Sequence, residues 1–384
     1  MSDERRRRIL IVDDSAVMRS LLRTIISTDA RLEVAGAAAD GASALSLMAE
    51  NRPDLVLLDV EMPVMDGLAT LRQMRSRGFR VPVIMCSSLT RRGARVTIDA
   101  LANGASDYVA KPTGQAGREA AMQALAQELI PKVLALTAPP PSRMAVPGIS
   151  AAIPHPASLT AVQRTTPRTL TTPAVLVIGV STGGPAALDV LLPALPARFP
   201  LPVLVVQHMP ELFTRLMAER LNTRCALPVV EAAEGAPVCR GKVAIARGNW
   251  HLELRSASGP LAPATMHLHQ GPPENHCRPA VDVLFRSASQ AFGPAVLAVV
   301  LTGMGSDGLN GARLIRQNGG CVLAQDQASS TVWGMPGAVA SAGLADRIVP
   351  LDGMAAEIVK LTGRGPAVPA EFQGNLNRLQ RQAV

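Results

Sequence analysis

The chain has 384 residues, more than one hydrophobic core usually spans, so two domains are expected. Hydrophobic residues make up 48% and aromatic residues 2% of it, so aliphatic side chains must fill the cores. No apolar run reaches the length of a membrane-spanning helix, and half of the net charge of +8 lies in residues 131–172. The composition therefore argues against membrane insertion and against a basic nucleic-acid-binding face.

The N-terminus and the cysteines indicate a cytoplasmic protein. Residues 1–8 are charged and lead straight into an apolar run, unlike a secretory signal peptide. The five cysteines are scattered and lack the spacing of metal ligands. Free thiols in a reducing cytoplasm are the expectation.

In the first half, short apolar runs alternate with segments of helical periodicity. This alternation predicts a parallel, doubly wound sheet of five strands. The predicted strands are residues 9–12, 32–36, 54–58, 81–85 and 107–110.

Polar side chains stand where these strands end. Asp13 and Asp14 follow the first strand, and Asp59 follows the third; Ser87 and Lys111 follow the fourth and fifth. Each aspartate alone could be a helix N-cap, but the carboxyl ends of parallel strands meet at one edge. Clustered carboxylates suit a hard divalent cation such as Mg²⁺, and a carboxylate beside a metal and an ammonium group can attack a phosphoryl donor.

Over roughly residues 8–136 this half resembles the receiver domain of two-component response regulators, which has a flavodoxin-like fold. The resemblance implies that Asp59 is the phosphorylated residue and that Mg²⁺ is bound in this domain. The implied Mg²⁺ ligands are Asp13, Asp14, Asp59 and a backbone carbonyl near Glu61. The implied switch residues are Ser87, Tyr108 and Lys111.

Composition divides the rest of the chain. We predict a receiver domain over 1–130, a Pro/Ala/Thr-rich linker over 131–172, a second domain over 173–363 and a polar tail over 364–384. The second domain is expected to be another doubly wound α/β unit, mostly parallel with a short antiparallel section. Residues 229–231, 242–246 and 251–254 are the predicted short antiparallel strands.

A candidate nucleophile opens the second domain. The apolar run 174–178 leads into Gly179-Val180-Ser181-Thr182-Gly183-Gly184, and a helical pattern follows. A strand that reverses into a helix exposes one side chain at its tip, and the helix start offers N–H groups for an oxyanion. The alternative is a glycine-rich turn that only caps a helix.

Two further strand ends supply a candidate base and acid. His208 follows the strand within 201–206, and Asp307 lies in the loop after the strand 295–301. Asp282, at the start of a helix over 278–291, is the alternative acid. We prefer Asp307 because it directly follows a central strand. For His251, His267, His269 and His276 we expect surface or hydrogen-bonded roles.

Two local patterns favour other families. Gly303-x-Gly305-x-x-Gly308, with Asp326 after the next strand, fits a dinucleotide-binding fingerprint, but Asp307 would stand where a pyrophosphate must bind. Gly179-x-Ser181-x-Gly183 matches the elbow of lipase-type hydrolases, but the order serine, histidine, acid differs from theirs.

The second half resembles the catalytic domain of the chemotaxis protein-glutamate methylesterase (CheB) family. The matching motifs are residues 179–184, 207–209, 278–282 and 302–308, and with the receiver the match covers nearly the whole chain. The resemblance implies a phosphorylation-activated hydrolase that releases methanol from glutamate methyl esters on chemoreceptors and deamidates receptor glutamines. A chemotaxis histidine kinase would be the phosphodonor, and no cofactor is expected in the catalytic domain.

In this interpretation Ser181 attacks, His208 takes its proton and Asp307 holds His208. Backbone N–H groups near Thr182, Gly183 and Gly184, with Met304, would stabilise the oxyanion. The rival hypothesis is a receiver with a phosphorylation-gated binding module, against which the complete Ser–His–Asp set argues. A transcriptional regulator is less favoured, since no helix-turn-helix pattern follows the receiver.

Overall fold

The computed structural model describes residues 5–88, 90–112, 118–138, 171–256 and 264–363. Most of the predicted linker and the whole predicted tail lie outside these ranges. None of the helices within them combines the length and apolar composition that a bilayer crossing requires.

The first domain is a five-stranded parallel sheet in the order β2-β1-β3-β4-β5, which confirms the predicted receiver fold. Its strands are β1 Arg7–Val12, β2 Leu32–Ala38, β3 Leu55–Asp59, β4 Val83–Ser87 and β5 Asp107–Ala110. Its helices are α1 Ala16–Ser27, α2 Gly41–Asn51, α3 Gly67–Ser76, α4 Arg91–Ala102 and α5 Arg118–Leu136. Strands β3 and β4 are buried along their whole length, as expected for a sheet covered on both faces.

The second domain is a seven-stranded parallel sheet in the order β14-β13-β12-β6-β7-β9-β8, with a separate antiparallel hairpin, β10-β11. The strands are β6 Val175–Val180, β7 Val203–Gln207, β8 Val229–Glu231, β9 Val243–Ile245, β10 His251–Arg255, β11 Thr265–His269, β12 Val296–Val300, β13 Cys321–Gln325 and β14 Arg347–Val349. The helices are α6 Gly184–Leu191, α7 Glu211–Asn222, α8 Val281–Phe292, α9 Leu309–Gln317, α10 Met335–Ser341 and α11 Leu351–Thr362, with a 3₁₀ turn at Gly293–Ala295. A mostly parallel α/β domain with a short antiparallel section is therefore confirmed.

Two details differ from the sequence-based expectation. Strands β8 and β9 pair in parallel with the main sheet, so the prediction that both are antiparallel was wrong. Eleven residues separate β8 from β9, enough for the chain to cross back and re-enter the sheet in the same direction. Helix α5 continues to Leu136, six residues beyond the predicted end of the receiver at 130.

The two domains share a buried interface. The Tyr108 ring at the start of β5 stacks on the Phe213 ring of α7, with 4.5 Å between ring centroids. Arg220 of α7 donates to Asp99 of α4 at 2.8 Å and to Asp189 of α6 at 3.0 Å. Aromatic stacking and a partly buried ion pair therefore join the receiver to the second domain.

Substitution of Gly179, in the central strand β6, tests how closely this strand packs against helix α8. An added methyl group would overlap Val281 Cγ1 of helix α8, whose backbone holds the candidate acid. We expect Gly179→Ala to lower the free energy of unfolding by about 1–3 kcal/mol, measured by urea denaturation.

Gly353→Ala, in α11, is the matched control. Its methyl group would meet only Val349 Cγ1 at 3.6 Å, an ordinary contact, so the free energy of unfolding should stay equal or rise. Equal stability of the two variants would contradict the packing described for β6 and α8.

Candidate functional sites

Ser181 stands at the tip of the turn between β6 and α6. Its N–H donates to Thr302 O at 3.0 Å, which ties the turn to the loop after β12. Gly183 has a φ of +77°, and a side chain there would also overlap Thr331. Glycine is therefore required for both conformation and space, and the turn lifts Ser181 into a cavity of about 800 Å³.

His208 lies in the same cavity, directly after β7, as the strand-end argument predicted. Its Nε2 is 2.8 Å from Asp307 Oδ2, and its Nδ1 is 3.5 Å from Cys277 Sγ. Burial alone would disfavour the charged ring, but the contacts with Asp307 and Cys277 raise the pKa of His208 to about 9. The resting imidazole is therefore mainly protonated at neutral pH.

Asp307 is 2% exposed and is held by donors from several elements. Besides His208, these are the N–H groups of Val281 (2.6 Å), Asp282 (3.0 Å) and Gly308 (2.9 Å) and the Asn275 Nδ2 amide (2.8 Å). Burial would raise the pKa of Asp307, but the hydrogen bond and charge of His208, with the backbone donors, keep that pKa below its usual value. The carboxylate can thus orient the imidazole and balance its charge.

Asp282, the alternative acid, is connected to His208 through Asp307: its N–H donates to the Asp307 carboxylate, which contacts the imidazole. It accepts hydrogen bonds from Gly311 N–H at 2.7 Å and from Asn275 Nδ2 at 3.0 Å. Burial, and next the nearby charge of Asp307, raise the pKa of Asp282. Asp307 is the acid that contacts the imidazole, and Asp282 supports Asn275.

The Ser181 hydroxyl is not hydrogen-bonded to His208. Across the described ranges we find no hydrogen bond of Ser181 Oγ, and both ring nitrogens of His208 already have neighbours. The structure therefore places Ser181, His208 and Asp307 close together, and of these three residues His208 and Asp307 are hydrogen-bonded to each other. Catalytic hydrogen bonds often tighten only when substrate binds.

Free N–H groups lie beside Ser181. Among the described residues the N–H groups of Thr182, Gly183 and Met304 have no hydrogen-bond acceptor, whereas that of Gly184 donates to Ser181 O at 2.8 Å. Of the four residues considered for the oxyanion site, three can offer a backbone donor and Gly184 cannot. The geometry suits an anionic oxygen near the turn.

Sequence reasoning missed Asn275 and Cys277. They belong to a tight turn closed by reciprocal backbone hydrogen bonds between Glu274 and Cys277, with positive φ at Asn275 (52°) and His276 (63°). Backbone strain in non-glycine residues clusters at functional sites. The asparagine, which tolerates this conformation, was the available signal just before the 278–282 motif.

The dinucleotide hypothesis for residues 303–308 fails on hydrogen bonding. Gly303 N–H donates to Val332 O at 3.0 Å, and Gly308 N–H donates to the Asp307 side chain. These donors are therefore committed to the protein, and a buried carboxylate occupies the loop where a pyrophosphate would bind.

The receiver forms one wall of the Ser181 cavity. Asp107, Tyr108, Glu128 and Lys132 line it from β5 and α5. Thr182, next to the candidate nucleophile, donates its hydroxyl to Asp107 Oδ2 at 2.7 Å in a buried contact. The edge of the receiver thus reaches the residue adjacent to Ser181.

The second site is the carboxylate cluster predicted in the receiver. Ligand atoms of Asp13, Asp14 and Asp59 lie within 4.8 Å of one another, and Lys111 Nζ lies 2.8 Å from both Asp13 Oδ2 and Asp59 Oδ2. Despite this ion pair, Asp13 Oδ2 is buried with no aligned hydrogen bond within the described ranges. A buried oxygen in this state, beside two more carboxylates, fits a hard divalent cation.

The groups around Asp59 set its charge. Burial, and then the charge of Asp13, raise the pKa of Asp59, while Lys111 opposes this shift. Burial disfavours the ammonium, but the two carboxylates raise the pKa of Lys111. Glu61 N–H donates to Asp59 Oδ1 at 3.3 Å, and the buried Ser87 hydroxyl accepts from Thr97 Oγ1 at 2.7 Å.

Comparison with known proteins matches both halves of the chain. The family model described as CheB methylesterase matches residues 176–358, and the response regulator receiver domain model matches residues 9–126. A protein-glutamate methylesterase/protein-glutamine glutaminase of Nocardioides sp. (strain ATCC BAA-499 / JS614) is 52% identical over 93% of this chain and 96% of its own length. One of the same description from Trichodesmium erythraeum (strain IMS101) is 47% identical over 93% and 99%. The crystal structure of the Thermotoga maritima CheB methylesterase catalytic domain, 40% identical, covers 50% of this chain and all of that one at a TM-score of 0.48.

The His208–Asp307 pair predicts a specific titration. In the wild type, NMR of the labelled imidazole should show His208 titrating at about 9. In Asp307→Asn the ring loses its carboxylate partner while its burial and its contact with Cys277 remain, so its pKa should fall from that value.

Asp352→Asn, in the first turn of α11, is the control and should leave the titration of His208 unchanged. A titration still near 9 in Asp307→Asn would show that the carboxylate does not set the charge of this histidine.

Proposed function

The chain belongs to the CheB protein-glutamate methylesterase family, with an N-terminal receiver domain, and we propose that it hydrolyses glutamate methyl esters on chemoreceptors and deamidates receptor glutamines. The observation that carries this proposal is the partly buried His208–Asp307 pair, which shares one cavity with Ser181. The free thiols of all five cysteines fit a cytoplasmic location, where the receptor helices would be reached.

The proposed reaction is nucleophilic acyl transfer. Ser181 Oγ attacks the side-chain carbonyl of the substrate while His208 accepts the hydroxyl proton, and the same proton is passed to the leaving methanol or ammonia. Water then attacks the acyl-serine, again with His208 as base, and releases a glutamate side chain. N–H groups of Thr182, Gly183 and Met304 would bind the oxyanion in both steps.

The resting arrangement supports a regulated enzyme. A His208 pKa of about 9 leaves little neutral imidazole at pH 7, so the ring is a poor base as it stands. The receiver contacts Thr182 and lines one side of the cavity that contains Ser181. We infer that this closed arrangement is the low-activity state.

Asp59 is the proposed switch. Its carboxylate would take a phosphoryl group from a chemotaxis histidine kinase, and Lys111, freed from Asp59, would pair with the phosphoryl oxygens. Asp13, Asp14 and Asp59, with the Glu61 carbonyl, would hold Mg²⁺, which neutralises phosphoryl charge when bound. Ser87 would donate to the phosphoryl group once its hydroxyl leaves Ser88 O, and Tyr108 would transmit the change to its contact with Phe213.

Methanol release from methylated receptor membranes tests the enzyme and the switch together. We expect wild-type release to rise on adding a small phosphodonor and Mg²⁺. Ser181→Ala should lose about four orders of magnitude or more in rate, because it removes the nucleophile. Asp59→Ala should keep the basal rate but lose the rise. No release from any sample, with Asp59 demonstrably phosphorylated, would favour the binding-module hypothesis instead.

The interdomain ion pair tests the closed state. Asp99→Ala removes the receiver partner of Arg220, which keeps Asp189 within its own domain. We expect the unphosphorylated rate of methanol release to rise about two- to fivefold, since one partly exposed pair shifts the closed–open equilibrium only modestly. Glu50→Ala, an exposed acid on α2, is the control and should leave the rate unchanged. An unaltered rate in Asp99→Ala would exclude a role of this contact in closure.

A further inference from the structure

The proposed hydrolysis leaves the thiol beside the catalytic imidazole without a role. Cys277 is half-buried, lines the Ser181 cavity and places Sγ 3.5 Å from His208 Nδ1. This nitrogen faces away from Asp307, so it is the atom that must accept the serine proton. Whatever binds between Nδ1 and Sγ therefore competes directly with Ser181.

The two donors have the chemistry and spacing of a zinc site. Imidazole nitrogen and thiolate sulfur are preferred ligands of Zn²⁺, which binds them tetrahedrally. With bonds of about 2.3 Å to sulfur and 2.0–2.1 Å to nitrogen, a tetrahedral angle places the donor atoms about 3.5 Å apart. Sγ and Nδ1 already have the separation that two ligands of one zinc ion require.

The surroundings hold both ligands in place. His208 turns its other nitrogen to Asp307 at 2.8 Å, the carboxylate–histidine arrangement that orients metal-binding imidazoles. Cys277 is fixed by the turn in which its N–H donates to Glu274 O at 2.8 Å, and Asn275 of that turn donates to Asp307. Water from the cavity of about 800 Å³ can complete the coordination.

We propose that His208 and Cys277 form a binding site for Zn²⁺ that reversibly inhibits the enzyme. Binding releases the thiol proton, and any proton on Nδ1, to solvent while Zn–S and Zn–N bonds form. The site differs from the receiver carboxylates, whose all-oxygen donors prefer Mg²⁺. Zinc binding does not depend on the proposed hydrolase function, whereas zinc inhibition does.

Cobalt binding to the full-length protein, in excess Mg²⁺ to fill the receiver site, tests the ligands without any substrate. Wild type should show a thiolate-to-cobalt charge-transfer band that Zn²⁺ abolishes by displacing Co²⁺. Cys277→Ser should lose the band, and Cys239→Ser, which removes an exposed thiol elsewhere, should keep it. No band in wild type, or a band lost only in Cys239→Ser, would overturn the site.

X-ray absorption of the zinc-loaded wild type identifies the ligands directly, so that this test does not depend on correct folding of the Cys277→Ser variant. The expected shell contains one sulfur at about 2.3 Å and at least one imidazole nitrogen at about 2.0 Å, and a shell of oxygens alone would refute the proposal. At ten times the dissociation constant, Zn²⁺ should lower methanol release about tenfold in wild type and leave Cys277→Ser within about twofold. If methanol release is absent but the cobalt band follows Cys277, the hydrolase proposal fails while the metal site stands.

Discussion

The buried carboxylate of Asp307 is the group on which the second domain depends. A charge this far from water is tolerated only because donors surround it, and removing a donor would leave a costly unpaired group. Those donors come from the strand end of His208, the turn of Asn275, the N-terminus of α8 and the loop after β12. One carboxylate therefore ties the loop after β12 to two other parts of the chain, the end of β7 and residues 275–282. The residues that contact the Asp307 carboxylate are His208, Asn275, Val281, Asp282 and Gly308.

The same pairing limits the histidine as a base. Asp307 and Cys277 together favour the imidazolium, so the geometry that orients His208 also leaves it mostly protonated at neutral pH. An efficient base needs a pKa nearer the working pH. Moving Cys277 away from Nδ1 would weaken the charged form, whereas opening the cavity would relieve the burial that disfavours it. Regulation of this site is thus as much a matter of proton affinity as of access.

Much of this arrangement could be predicted from the sequence because parallel strands bring their carboxyl ends together. That rule alone predicted that His208 and Asp307 share one crevice, and that Asp13, Asp59 and Lys111 share another. The sequence predicted β8 and β9 as strands but not their parallel pairing, because strands of three residues each carry too little pattern to fix a direction. Nor could it predict Cys277 beside His208 or Thr182 against Asp107, because such contacts depend on loop conformation and domain packing.

Strand β5 offers a short physical route between the two sites. Lys111, which pairs with Asp59, is one residue past the end of β5, and Asp107 and Tyr108 open that strand against Thr182 and Phe213. Val109 and Ala110, both paired with β4, are the residues between Tyr108 in the cavity wall and the proposed phosphoryl sensor Lys111. A shift of Lys111 toward a phosphoryl group would pull on the β5 backbone, and Asp107 at the other end of β5 holds Thr182, the neighbour of the proposed nucleophile Ser181. Because packed interfaces switch between discrete states, a small displacement there would favour the opening that we propose.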